Sequence, residues 1–316
     1  MKPSARTLFR VAQVAFAAAA LWFAARVLAR QWSSVREAAR HAHVEWLWIV
    51  ASCLVVLATY LALIQAWRSV VEGWSARLPF GAAARIWFIS SLGRYVPGKV
   101  WQLGSMAVMS QRQGASAVAA AGSAVLVTVI NTVAGFVVLA ATGAHVLDIP
   151  PVAALAIAAT GIAALLAPRF LPALASAVAR RTGRTVKIEP LPSRALVITA
   201  LISLLAWTMY GVAFHWFSRG VIGVTAGGIA TSVAIFTGSY LAGFLTLIAP
   251  GGLLVREAVM QVALVRLGVP AGPAILLVVA SRLWLTMLEI TPALLFLAHG
   301  ALRPAGTLHR ERVPRG

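Results

Sequence analysis

Long apolar runs alternate along the chain with short polar or basic connections. Six runs are uninterrupted: residues 8–29, 46–67, 117–142, 151–167, 194–217 and 271–298. Each reaches or approaches the ~20 residues that a helix needs to cross ~30 Å of hydrocarbon. Spanning strands would instead show ~10-residue segments of alternating polarity, and no such alternation is seen. Two further apolar regions, 81–112 and 229–267, are each interrupted by Pro-Gly, at Pro97-Gly98 and Pro250-Gly251. The pattern predicts an all-α polytopic membrane protein, one integral membrane domain over 1–316, with six transmembrane helices and two broken segments.

The breaks matter because Pro-Gly frees backbone groups that lipid cannot satisfy. Such backbone is tolerated at membrane depth only where protein or a water-filled cavity covers it. The pieces after each break, 99–112 and 252–267, are also short for a crossing. Both regions are therefore expected to be re-entrant hairpins, the first entering from the cytoplasmic side and the second from the outer side. Eight full spans would leave the chain ends on the same sides and stay open as the alternative. The order span, span, hairpin, span occurs twice, over about 8–142 and 151–300. Three crossings per unit invert the second unit relative to the first. "YVPGKVWQLGSMAVMSQRQG" can be set beside "IAPGGLLVREAVMQVALVRLG", in which Pro-Gly, a short helix and a later glycine recur. Inverted repeats whose broken helices meet near the midplane are a transporter signature.

Composition agrees with a lipid solvent. Apolar residues make up 60% of the 316 and charged ones 11%, against about 25% charged in soluble domains. The net charge of +19 would suggest nucleic acid in a soluble protein. Here the cations fall mostly between apolar runs, where they encode topology, so nucleic acid is not the expected partner and anionic headgroups are. With the N-terminus inside, the outer segments hold only Arg26, Arg30, Arg36, Arg40, Arg219 and Arg266. The basic linker 168–193 and the basic tail 301–316 are then cytoplasmic, as are both termini. The first run continues to about Leu28 without a good cleavage site and reads as an uncleaved helix. Trp32, Trp46 and Trp48 group at the outer interface, and Trp67, Trp74 and Trp87 at the inner one, as an aromatic belt would. The single cysteine, Cys53, has no internal partner. No metal site or cofactor is expected, since no Cys/His cluster has ligand spacing.

The candidate chemistry lies at the breaks. A helix restarting after Pro97-Gly98 presents unpaired N–H groups and a positive dipole end, where anions bind readily. Lys99 sits at that end, Arg94 and Tyr95 lie just before the break, and Gln102 follows within a turn. Pro250, Gly251 and Gly252 repeat the device, followed by Arg256 and Glu257. The last span adds Arg282 and Glu289, seven residues apart and so two turns along one face. A charge at such depth costs at least about 2.5–3 kcal/mol unless paired or lining a cavity. A Glu257–Arg282 or Arg256–Glu289 pair would lower that cost, as a structural tie, a gate, or both. "GRYVPGKV" matches the phosphate-loop spacing, but Val100 stands where Ser or Thr must hold Mg²⁺. Neither a Ser-His-Asp set nor a carboxylate dyad is visible, and an enzyme is not expected.

"LGRYVPGKVWQLGS", "APGGLLVREAVMQVAL" and "ASRLWLTMLEITPALLF" together resemble the flippase-like transmembrane domain of lysylphosphatidylglycerol synthases, over roughly residues 8–300. Leu254 stands where that family's Pro-Gly-Gly-x-Gly-x-Arg-Glu pattern carries its next glycine. The resemblance implies that Pro97, Gly98, Lys99, Pro250, Gly251, Arg256, Glu257 and Arg282 form the site. It also implies a stand-alone member, without the aminoacyl-transferase domain, in the bacterial cytoplasmic (inner) membrane. The expected function is translocation of an anionic phospholipid or polyprenyl-phosphate-type lipid through a midplane site. Transport of a small soluble anion, or a scaffold role beside a lipid- or glycan-modifying enzyme, are the alternatives.

Overall fold

The structure, a computed structural model, describes residues 36–37, 40, 44–74, 77–95, 100–143, 150–166, 192–246 and 254–302. Among these, all regular structure is helical. The elements are α1 (Trp46–Trp74), α2 (Phe80–Ser91), a 3₁₀ turn (Leu92–Tyr95), α3 (Val100–Arg112) and α4 (Ala117–Gly143). They continue with α5 (Pro151–Leu166), α6 (Ser193–Ile222), α7 (Ile229–Leu245), α8 (Val255–Arg266) and α9 (Ala271–Leu302). The chain is a polytopic membrane protein: α1, α4, α6 and α9 are long and apolar enough to cross a bilayer. The predicted span at 8–29, the linker over 168–191 and the tail from 303 on lie outside the described residues, while residues 301–302 of the expected tail are the end of α9. The expected span at 151–167 is a 16-residue helix, ~24 Å long at 1.5 Å per residue.

In both Pro-Gly regions the described helices lie on either side of the Pro-Gly pair. The first consists of α2 and α3, of 12 and 13 residues, each ~20 Å or less. The second consists of α7 and α8, of 17 and 12 residues, ~26 and ~18 Å. In each region the two helices pack on one another. The motif comparison has a backbone counterpart: the glycines that end the two segments, Gly114 and Gly268, have φ of 89° and 86°. Both stop a helix in the left-handed conformation that only glycine adopts at little cost.

The helix contacts fall into matched pairs. Exchanging α1 with α6, α2 with α7, α3 with α8 and α4 with α9 carries each principal contact among these eight helices onto another, while the contact of α4 with α5 has no counterpart among the described residues. Thus α1 on α2 answers α6 on α7, α3 on α4 answers α8 on α9, and α2 on α9 answers α7 on α4. At the centre α1 and α6 share the most extensive interface. They run antiparallel: Glu45 N–H donates to the Gly220 carbonyl at 2.9 Å, while Thr199 reaches the Ala66 carbonyl near their other ends. At the former end Arg219 lies over the Trp48 ring, 4.4 Å from its centroid.

Between helices in lipid, close packing and buried hydrogen bonds supply the adhesion that the hydrophobic effect supplies in water. Gly211 of α6 leaves room for Val233 of α7, whose backbone a β-carbon would strike. Gly135 of α4 lies under the Trp207 ring, and the Trp207 indole donates to the Asn131 carbonyl at 2.7 Å. Trp67 departs from the expected inner belt: it is fully buried, and its Nε1 donates to Ser123 Oγ at 3.1 Å. The Ser123 hydroxyl across the α1–α4 contact offers the indole a partner inside the bundle.

Candidate functional site

Tyr60 is the middle residue of α1, so its hydroxyl lies ~21 Å of helix from either end. Around it gather groups from five elements. Tyr60 Oη donates to Glu289 Oε1 of α9 at 3.0 Å. The same carboxylate oxygen is ion-paired to Arg94 Nη1 at 2.5 Å, from the turn between α2 and α3. Arg94 Nη1 also approaches Tyr240 Oη of α7 at 3.4 Å. Tyr210 of α6 completes the set, its ring 6.0 Å from that of Tyr60. Glu289 is buried, with a side chain 8% exposed.

Local structure explains how Arg94 gets there. Leu92–Tyr95 tightens the end of α2 into a 3₁₀ turn. Gly93 lets that turn close onto the start of α3, since a β-carbon on Gly93 would lie 2.7 Å from the Gln102 nitrogen. The cation before the break is thus directed into the bundle beside α9. Gln102 itself is half-buried in the first turn of α3.

Arg256 and Glu257 begin α8. Arg256 is 5% exposed, and its guanidinium carbon lies 5.6 Å from the Phe236 ring centroid and 5.4 Å from that of Tyr240. These rings stack one turn apart on α7. The Nη2 of Arg256 has no hydrogen-bond acceptor among the described residues. Tyr240, Glu257, Arg282 and Glu289 all lie within electrostatic reach of it. Glu257 points the other way: Oε2 accepts the Leu254 N–H at 2.8 Å and Oε1 pairs with Arg282 Nη1 of α9 at 3.3 Å.

Of the two pairings that the spacing allowed, Glu257–Arg282 is present. Glu289 pairs with Arg94 and not with Arg256. So α9 bears two charges, Arg282 tied to the second broken segment and Glu289 to the first. Pro97, Gly98, Lys99, Pro250, Gly251 and Gly252 lie outside the described residues. Of Tyr95 only the backbone, which closes the turn, is described. Sequence reasoning missed Tyr60, Tyr210 and Tyr240. Their signal was available: three of the chain's four tyrosines fall inside apolar runs, where a hydroxyl must find a partner.

Leu254 heads α8 with φ 71° and ψ −41°, the one non-glycine residue of positive φ among those described. A leucine held there costs about 1–3 kcal/mol, while glycine costs about 0.4–1 kcal/mol through the unfolded chain. Leu254→Gly is therefore expected to stabilise the protein by about 1 kcal/mol. Thermal unfolding in detergent reads this as a higher Tm, and an unchanged or lower Tm refutes it.

No curated protein matches the chain in sequence. The family of the lysylphosphatidylglycerol synthase TM region does, over nearly its whole helical part. Its pattern covers both broken segments, the charged start of α8, and α9 as far as the carboxylate that holds Arg94. The chain belongs to the family described as lysylphosphatidylglycerol synthase TM region, whose model matches residues 10–291.

Proposed function

We propose that the protein is a lipid carrier that moves an anionic, phosphate-bearing lipid across the cytoplasmic membrane, with the Arg94–Glu289–Arg256 cluster as its midplane site. One observation carries the reading. Three arginines and two carboxylates are collected along α9, and one buried guanidinium donor among them has no acceptor among the described residues. A purely structural network would satisfy its donors, because an unsatisfied buried charge is costly. An incoming phosphate oxygen would supply the missing acceptor through a charge-assisted hydrogen bond.

The matched helix contacts and the paired Gly114 and Gly268 caps support reading the two halves as an inverted repeat. The short α2–α3 and α7–α8 pairs support re-entrant hairpins entering from opposite faces. In such repeats the substrate site lies near the midplane, and one unit rocks against the other. Membership of a family tied to lipid modification favours a lipid over a soluble anion. The basic connections favour the inner membrane with both termini cytoplasmic.

The test is translocation of a headgroup-labelled phosphatidylglycerol in proteoliposomes, read by quenching of label exposed outside. Wild-type protein is expected to bring the inner-leaflet label within reach of the quencher. Arg256→Gln, which removes the unpartnered donor, and Lys99→Ala, at the sequence-predicted cradle, are each expected to slow this by about tenfold or more, the equivalent of one lost charge-assisted contact. Wild-type rates in both variants would sink the proposal, as would an inert wild-type protein.

A further inference from the structure

We infer that the first predicted span, residues 8–29, docks along the flank of α9 formed by Met287, Thr291 and Leu294, where it answers the packing of α5 on α4. The inference rests on reading the two halves as an inverted repeat and not on what the protein carries.

Burial along α4 and α9 is the starting point. Gly114 and Gly268 end the two broken segments with nearly equal φ, and from one to the other is a shift of 154 residues. Under that shift the two helices are buried in step. Val127 and Ile130 are buried, and so are their equivalents Ser281 and Trp284. Val125 and Val129 are exposed, and so are Val279 and Leu283. Gly135 and Leu139 are buried, and so are Glu289 and Ala293. From Val133 onward one face departs. Val133, Val137 and Ala140, spaced i, i+4 and i+7, are half-buried or buried, whereas Met287, Thr291 and Leu294 are exposed, Met287 at 62%.

What covers that face of α4 is α5. Gly161 of α5 lies so close to Val133 and Val137 that a β-carbon on it would be 2.7 Å from Val137 Cγ2. An apolar face needs no cover in lipid, whose tails are as apolar as leucine, so exposure alone assigns nothing to α9. The repeat makes the assignment: α9 presents the same face in the same register, without the helix that occupies it on α4.

Chain order names the occupant. The helix before α6 is α5, and α6 answers α1; the apolar run before α1 is 8–29. The two share a composition, since seven of the 16 residues of α5 and nine of the 22 in 8–29 are alanine. Small side chains let helix axes approach closely in a bilayer. With the N-terminus inside, the span runs antiparallel to α9, as α5 runs to α4 across the short connection 144–150. The connection 30–45 would reach ~24 Å as a helix and ~50 Å extended, enough to cross two helix diameters of ~10 Å each. No short loop forces this contact as 144–150 forces the other, so packing alone must hold it.

The test is disulfide trapping in the full chain, in membranes, in a Cys53→Ser background with a protease site inserted in the linker 168–193. Met287→Cys, at the middle of α9, is paired in turn with Ala17→Cys, Ala18→Cys, Ala19→Cys and Ala20→Cys, at the middle of the span. Four successive positions present every side of a helix. After oxidation and cleavage, non-reducing electrophoresis reads whether the two pieces of one chain stay joined. At least one pair is expected to retain the pieces about fivefold or more above the same four positions paired with Val129→Cys, because a disulfide needs β-carbons ~4 Å apart. Val129 is the control because it is exposed at the middle of α4. If the Met287 variants fail to accumulate, Thr291→Cys paired with Gln13→Cys, Val14→Cys, Ala15→Cys and Phe16→Cys reads the same contact one turn along in the antiparallel register. Retention no greater than the control in every pair overturns the inference and leaves the face to lipid. Joining of two full chains, in place of two pieces of one, assigns the face to a second copy and overturns it as well.

Discussion

Arg94→Ala is expected to destabilise the protein by about 3–5 kcal/mol, the range for removing one partner of a buried ion pair. The loss comes less from the missing attraction than from the carboxylate left behind. Glu289 sits at mid-helix with its side chain 8% exposed, and Tyr60 supplies a weaker, neutral donor to the same oxygen. The double variant Arg94→Met/Glu289→Leu removes both charges at similar volume. It is expected to recover most of the loss, because apolar replacement of a whole buried pair is often neutral or stabilising. Unfolding by a denaturing detergent, with the two single variants completing the cycle, measures the coupling. A loss under about 1 kcal/mol for Arg94→Ala, in the range of an exposed pair, would mean that Glu289 is solvated or otherwise neutralised.

Arg256→Gln is expected to behave in the opposite way. It should weaken binding of short-chain phosphatidylglycerol roughly 10- to 100-fold, from the ~1.5–3 kcal/mol of a hydrogen bond to a charged group. Stability should change little. The substitution gives up cation–π contacts with Phe236 and Tyr240, worth about 0.5–2 kcal/mol, but also removes a buried donor without an acceptor, a penalty of similar size. Arg94 and Arg256 are thus expected to separate two kinds of buried cation, one that holds the fold and one that binds the ligand of the proposed site. Calorimetry and thermal unfolding on the same preparation test both halves. A large drop in stability with unchanged binding would assign Arg256 to the scaffold.

Much of the helical plan was legible in the sequence because lipid makes a simple demand. Apolar length located α1, α4, α6 and α9, although α1 continues to Trp74 and α6 to Ile222, beyond the purely apolar stretch. Pro-Gly located both divisions, since proline withholds an N–H and glycine withholds a side chain. Individual charges at depth were legible for the same reason, as Arg94, Arg256, Glu257, Arg282 and Glu289 each break an apolar pattern. Their partnerships were not. Glu257 and Arg282 lie on neighbouring elements and their pairing could be reasoned. Arg94 and Glu289 are 195 residues apart, and no local period relates the turn after α2 to the face of α9. Trp67 shows the same limit, because its burial depends on a serine of α4 that spacing along α1 does not reveal.

The two ties on α9 bear on how tightly such a carrier seals. Arg282 and Glu289 are two turns apart on one rod, and each is ion-paired to a different broken segment. If the proposed carrier moves by swinging one broken segment away from α9, that motion breaks one pair, and opening to both faces at once would require breaking both. With about 3–5 kcal/mol on the more buried Arg94–Glu289 pair, a form that has lost both would be rarer than one that has lost only the Arg282–Glu257 pair by roughly a hundred- to several-thousand-fold. In the proposed carrier, the same two ion pairs that tie the broken segments to α9 would thus also keep both faces from opening at once.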